Sequence, residues 1–317
     1  MGLHGSPTAV MQYDGAQGWL IGKENDGMRC MFTMMNNARL GVGMQGIGAA
    51  EGALQHAVAY AKERTQGRSI TPEPTGTIFD HADVRRMLTT MKAEIFAARA
   101  IALSQAVAID METATGDADW SARAALLTPI NKAFGSEMGT EMTNLGVQVH
   151  GGMGYVEETG AAQYVRDVRV TGIYEGTNGI QAMDLTGRKL ADGGEAAYAL
   201  LDEIEQNAEA ARHTLPDLAE HVWQASESLR EATEWMVAQS DMNARFAGGV
   251  PFTRAFARVL GGHFHLKAAT ASNGKGPRAH LAQFYITHLL PETQGLLAQA
   301  TAGADAMFSL SLDDFAA

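Results

Sequence analysis

Asn37-Ala38-Arg39-Leu40-Gly41-Val42-Gly43-Met44-Gln45-Gly46-Ile47-Gly48-Ala49-Ala50-Glu51-Gly52 opens the run on which the fold turns. The run continues without proline to Gln66 and stops at Gly67, so it reads as one long helix over residues 37–66. Its glycines are unusual. Each costs about 1 kcal/mol against alanine in a helix interior, so a close approach must offset them. Gly41, Gly48 and Gly52 lie near one stripe with Gly43 and Gly46 beside it. Another helix backbone is the expected neighbour, ahead of a ligand.

Working downstream, Ser69–Gly76 holds Pro72 and Pro74 and reads as a loop. Asp80 can cap a second helix reaching about Thr113, and Gly116-Asp117-Ala118-Asp119 breaks it. A third helix spans about residues 121–149, until Gly151-Gly152-Met153-Gly154 stops it. A shorter one covers about 159–167, and another starts near Thr177. Gly193-Gly194 marks a boundary. Beyond it Leu218, Val222, Ala225, Leu229, Ala232 and Met236 keep a three/four spacing along one apolar stripe. The expected fold is mainly all-α: an up-and-down helical bundle over residues 28–190, and an additional C-terminal helical domain over residues 191–317. Upstream, Thr8–Tyr13, Asp14–Gly18 and Trp19–Gly22 read as strand, turn and strand. Residues 1–27 are therefore expected to form a short N-terminal β-hairpin remnant, although two strands alone make no stable sheet.

Composition narrows the function. Hydrophobic residues make up 46% and charged residues 19%, a globular balance, and the formal charge is −12. Residues 191–317 carry 16 acidic against 8 basic side chains. That field repels a polyanion, so no nucleic acid partner is expected. Cys30 is the single cysteine, which excludes an internal disulfide and suits a reducing compartment. No membrane span and no signal peptide are legible, and a cytoplasmic location is expected. The ten histidines show no metal-ligand spacing, so no metal is expected. His263 and His265 should face different ways on one helix. Glu157-Glu158 reads as a solvated turn, and Met34, Met35, Met87 and Met91 read as core filling.

Chemistry concentrates between Met142 and Leu190. The segment holds Gln148-Val149-His150-Gly151-Gly152-Met153-Gly154-Tyr155, Arg166-Asp167-Val168-Arg169, and Ile173-Tyr174-Glu175-Gly176-Thr177-Asn178-Gly179-Ile180-Gln181. Taken singly, each part is ambiguous. Gly-Gly-x-Gly permits a tight turn or a close ligand, and most such runs are caps. Arg166 and Asp167 read equally well as a surface ion pair of little worth. Glu175 stands among Ile173, Tyr174 and Ile180 in a glycine-flanked break before a helix. Carboxylates in apolar surroundings gain proton affinity and can act as bases. Thr177 can serve as helix N-cap.

Taken together, in that order, the segments resemble the signature of the acyl-CoA dehydrogenase family. Met35-Asn36-Asn37-Ala38-Arg39 and Ala61-Lys62-Glu63-Arg64-Thr65-Gln66-Gly67 agree with it, looking like that family's substrate-arginine helix and its flavin-contacting turn. The resemblance covers about Gly2 to Leu190. The opening Gly5-Ser6-Pro7 and the acidic tail look most similar to a bacterial subgroup that includes methylthiopropionyl-CoA dehydrogenases. The resemblance implies FAD as cofactor and oxidation of an acyl-CoA substrate to a 2-enoyl-CoA. It implies that Glu175 is the catalytic base, and that Asn36, Arg39, Tyr174 and Gly176 contact substrate. Arg64, Gln148, Gly151 and Gly152 match residues reaching the FAD of a neighbouring subunit, and Thr177, Asn178 and Gln181 match its other face. A homo-oligomer, dimer or tetramer, and an electron-transfer flavoprotein are the implied partners.

The pattern also departs from the family. Gly67-Arg68 stands where an aromatic is frequent, and His81-Ala82 stands for a frequent His-Gln pair. Some members carry the base just before the helix arginine, where Ala38 stands, which favours Glu175. The family's amino-terminal helical domain and most of its β domain have no counterpart in these residues. Residues 1–27 are accordingly expected to be the tail of a truncated β domain, and the chain alone is expected to hold FAD weakly. Two other readings stay open: a non-catalytic helical oligomerisation fragment, and a flavoprotein homologue with a repurposed role.

Overall fold

Three long helices set the frame. The computed structural model describes residues 1–316, and in it α1 (Gly27–Glu63), α2 (Ala82–Thr115) and α3 (Ala118–His150) run up, down and up. Side-chain pairs join them: Glu51 of α1 meets Arg99 of α2, and Gln105 of α2 meets Thr128 of α3. Gly116, with φ of +69°, ends α2 in the left-handed conformation that glycine tolerates, and Asp117 caps α3 by accepting from the N–H of Asp119. Asp80, expected to cap α2, does other work. Its carboxylate accepts from Thr75 Oγ1 and the Gly76 N–H, pinning the preceding loop, while His81 occupies the N-cap position.

The glycines of α1 divide by what they meet. A Cβ on Gly46 would sit 2.2 Å from the carbonyl oxygen of Gly135 in α3, and one on Gly139 would sit 2.7 Å from the carbonyl oxygen of Gly46. α1 and α3 therefore run side by side, parallel, with backbones in contact. Gly52 makes room for the ring of Tyr164, whereas Gly41 and Gly48 face open space.

After α3 the chain turns through α4 (Gly152–Tyr155) and α5 (Ala161–Val168) to α6 (Asn178–Asp184), which runs on as a π-helical segment over Leu185–Lys189. The remaining helices are α7 (Glu195–Ala211), α8 (Pro216–Ala238), α9 (Met242–Ala247), α10 (Gly249–Ala271) and α11 (Gly276–Phe284). A second π segment (Tyr285–Leu289), α12 (Glu292–Ala300) and α13 (Asp305–Phe308) follow. One apolar core runs through all of this. Ile47, Met91, Ile130 and Phe134 of the bundle belong to the same cluster as Leu200, Val222, Phe256 and Leu260.

Charge bridges the seam between α10 and the bundle. Arg258 is almost wholly buried and pairs with Glu94 of α2 and with Glu292 of α12. Arg254 bonds Glu141 and, at 3.0 Å, Glu292, with Glu137 at 4.0 Å. His263 and His265 face different ways. His263 Nε2 lies 3.7 Å from Glu203. The nearby His263 ring, together with Arg123, which bonds the same carboxylate, holds Glu203 down at about 2. His265 Nε2 lies 3.1 Å from the Ala93 carbonyl oxygen and its ring stacks on Tyr285. Burial pushes the His265 imidazole down to about 4.

The amino-terminal hairpin does not form. Among the described residues there is no strand, and Val10, Tyr13, Trp19, Leu20 and Ile21 stand exposed. Alternation alone is insufficient, because a two-stranded ribbon needs a third strand or a covering helix to bury its apolar face. The segment is tied down at Leu3, whose N–H donates to Asp167 Oδ1 at 2.7 Å. Helix α1 also begins ten residues earlier than expected, and Met34 projects into solvent while Met87 and Met91 fill the core.

Candidate functional site

Between α5 and α6 the chain makes a turn whose centre is Glu175. A 3-10 turn over Arg169–Gly172 leads into it. Glu175 has a φ of +58°, the left-handed region that a side chain rarely adopts. Such a conformation costs on the order of 1–3 kcal/mol and persists only where the surroundings impose it. Here they do so from both sides. The Tyr174 hydroxyl donates to Gln45 Oε1 of α1, and burial pushes the Tyr174 phenol upward. On the other side Asn178 Oδ1 accepts from Lys132 Nζ of α3 at 2.9 Å and from Ser136 Oγ at 3.1 Å. Asn178 Nδ2 donates to Glu137 Oε1 at 3.1 Å.

Below the turn lies a polar floor. Gln181 is fully buried, and its Nε2 donates to the Gly176 carbonyl at 3.2 Å. Arg39 is buried with Nη1 3.3 Å from Asp184 Oδ2, and Arg188 Nε approaches the other oxygen of Asp184 at 2.6 Å. Gly176 has a φ of +84°, and a Cβ there would sit 2.6 Å from Gln181 Nε2 and 3.7 Å from Arg39 Nη2, so a side chain would be strained and would displace the Gln181 amide. Two atoms of this floor, Arg39 Nε and Gln181 Oε1, are buried without a partner. Above them the Glu175 carboxylate makes no hydrogen bond or ion pair, and its N–H meets no acceptor, among the described residues. Half-buried, strained and unengaged, the turn offers a carboxylate and a backbone donor to something polar.

Other sequence candidates fall elsewhere. Asn36 is exposed and lines a cavity of about 250 Å³ with Arg39, Asp184 and Lys189, which Glu175 does not line. Thr177 occupies the N-cap position of α6 without a side-chain cap bond, leaving its hydroxyl exposed. Arg64, Gln148, Gly151 and Gly152 are exposed at the far ends of α1 and α3, which meet where the Tyr60 and His150 rings lie 4.5 Å apart. Gln45, beside the Glu175 turn, precedes Arg64 by nineteen residues, about 28 Å at the α-helical rise of 1.5 Å per residue. The candidates thus form two separate groups.

Lys132, Ser136 and Glu137 escaped the sequence reading, yet they hold Asn178. Lys132 is fully buried and burial pushes its ammonium down to about 8. Burial raises the Glu137 carboxyl. The available signal was weak: Lys132 and Glu137 stand in a run, 124–142, that also holds Thr128, Asn131, Ser136, Thr140 and Glu141. Among the described residues no group of three or more metal-ligating side chains comes together, and no helix is long and apolar enough to cross a membrane.

Comparison with known proteins agrees with this frame. The family model described as "Acyl-CoA dehydrogenase, C-terminal domain" matches residues 25–190, and "Acetyl-CoA dehydrogenase C-terminal like" matches residues 200–311. The 3-methylmercaptopropionyl-CoA dehydrogenase of Ruegeria pomeroyi is 40% identical over 303 residues, covering 89% of this chain and 50% of that protein. A butyryl-CoA dehydrogenase of Syntrophomonas wolfei is 32% identical, covering 93% and 54%. The chain thus spans about half the length of these relatives. Two crystal structures share the fold: Caenorhabditis elegans ACDH-11 in complex with C11-CoA has a TM-score of 0.72 at 20% identity, over 84% of this chain and 45% of that one. An acyl-CoA dehydrogenase complexed with FAD from Bacillus anthracis has a TM-score of 0.70 at 18% identity, over 88% and 51%.

Proposed function

Because this chain belongs to the acyl-CoA dehydrogenase family, we propose that it supplies the helical half of an oxidoreductase that converts an acyl-CoA to a 2-enoyl-CoA, with Glu175 as the base. The observation that carries the reading is the Glu175 turn: a free carboxylate and a free N–H held together in a strained, half-buried loop. A thioester carbonyl accepting the Glu175 N–H gains most from that bond as negative charge builds on its oxygen. Enolate character at the carbonyl acidifies the α C–H, and the Glu175 carboxylate takes that proton. Tyr174 and Gly176 line the position, and Arg39 and Gln181 supply the floor.

FAD, when bound, would supply the acceptor for the β-hydride. The residues present fit such a group: Thr177 offers an exposed hydroxyl, and Gly151 and Gly152 leave open space where a side chain would stand. The separation of Arg64, Gln148, Gly151 and Gly152 from the turn supports a second role for that end, toward the FAD of a neighbouring copy in a homo-oligomer. Reoxidation by an electron-transfer flavoprotein, and residues 1–27 as the tail of a β domain walling the flavin, complete the proposal.

The test uses the flavin-loaded assembly that contains this chain. Glu175→Gln keeps the shape and the N–H and removes the base, so flavin reduction by acyl-CoA should fall by about 10²–10⁴-fold. Substrate binding, read from perturbation of the flavin spectrum, should survive. Reduction at the wild-type rate would sink the assignment.

A further inference from the structure

We propose that Lys132 is a positioning residue for Glu175, fixing the turn through Asn178. The inference rests on the reading of Glu175 as the base. Three observations carry it. Lys132 is wholly buried in the middle of α3, where an ammonium is retained only if something compensates its desolvation. Its Nζ makes one hydrogen bond among the described residues, to Asn178 Oδ1 at 2.9 Å, and no carboxylate lies within 4 Å of it. Asn178 is three residues from Glu175 and is held on its other atom by Glu137.

The pair Lys132–Asn178 is therefore one of two tethers on a strained turn, the other being Tyr174–Gln45. Were Lys132 present only to join α6 to α3, an apolar side chain would fill the space without burying a charge. The ammonium instead donates to the side-chain amide of Asn178, the residue that opens α6 three positions after Glu175. The same amide is held by Ser136 and Glu137 of α3, so the start of α6 is fixed to one helix by three side chains, of which Lys132 is the buried charged donor.

The experiment compares wild type with Lys132→Met and Asn178→Leu in the flavin-loaded assembly, checking thermal unfolding of each. Lys132→Met should lower the rate of flavin reduction by up to about 10²-fold, the cost of a misplacement near 1 Å, with KM little changed. Asn178→Leu removes the same tether from the other end and should lower the rate likewise, again with KM little changed. A wild-type rate in Lys132→Met, or a loss carried by KM and not by kcat, overturns the proposal. Should Lys132→Met fail to fold, an undiminished rate in Asn178→Leu overturns it. Wild-type reduction by Glu175→Gln refutes the base assignment instead, and the rates of the two tether variants still decide whether Lys132 positions the turn.

Discussion

Replacing Gly46 by alanine adds a single methyl group between α1 and α3. That methyl would lie 2.2 Å from the carbonyl oxygen of Gly135, 2.8 Å from its carbonyl carbon and 3.0 Å from the Ser136 Cα. All three are backbone atoms, so no rotamer change relieves the clash. Ordinary contact begins near 3.4 Å, which requires the helices to separate by about 1 Å. A gap of that size forfeits about a quarter to a half of the dispersion energy at each contact along the seam. Overpacking typically costs about 1–3 kcal/mol, and an immovable neighbour places this case at the upper end. Alanine's better helix propensity returns about 1 kcal/mol, leaving a net loss of about 2 kcal/mol. Gly48→Ala on the same helix meets no atom within 4 Å and should gain up to about 1 kcal/mol. Urea unfolding followed by circular dichroism, with equal slopes, reads both changes as shifts in midpoint. The two variants should move in opposite directions. A Gly46→Ala protein as stable as wild type would show that α1 and α3 are not held backbone to backbone.

Further outcomes follow from the buried charges and the exposed glycine end. Glu94→Gln leaves the Arg258 guanidinium buried with Glu292 as its remaining carboxylate and should cost about 3–5 kcal/mol, whereas Glu94→Leu with Arg258→Met together should be close to neutral; a double-mutant cycle measures both. The His265 imidazole is held at about 4, below its ordinary 6.5, so the unfolded chain takes up a proton first. Its contribution is fully present above about pH 6.5 and is lost as pH falls toward 4, by about 3 kcal/mol. His265→Phe should flatten that limb in unfolding measured against pH. Arg64→Ala and Gln148→Ala, both exposed, should leave the unfolding midpoint within about 0.5 kcal/mol but reduce flavin retention by the assembled enzyme in gel filtration.

Much of the helical frame was readable because α2 and α3 carry their own punctuation. Gly116 and Gly151 stop helices where glycine is the residue that tolerates φ near +60°, and Asp117 caps the next one. The start of α1 was not readable. Met28, Met31, Phe32 and Met34 are all substantially exposed, so the first turns show no apolar face for a period to reveal. The hairpin over residues 8–22 was misread because alternation encodes a face to be covered but not the partner that covers it. At the candidate site, the Glu175 turn could be singled out by its glycine flanks and the order of its motif. Lys132 and Glu137 did not, since a charge inside a helix is usually solvated and burial is a property of three helices meeting. Asp80 shows the same limit on a smaller scale: its position suited a cap, and contacts with Thr75 and Gly76 claimed it instead.

The positive φ of Glu175 has a consequence for anyone who tries to make this protein more robust. The turn is drawn like a bow between Gln45 and Lys132, and relaxing it would lower the energy of the folded chain. Selection for heat tolerance alone should therefore favour glycine at position 175, which releases the tension without unpairing either anchor. With Glu175 read as the base, that gain would remove the carboxylate itself. A stabilised variant chosen by melting temperature would emerge hardened and idle, and a screen for this half of the molecule has to weigh both properties at once.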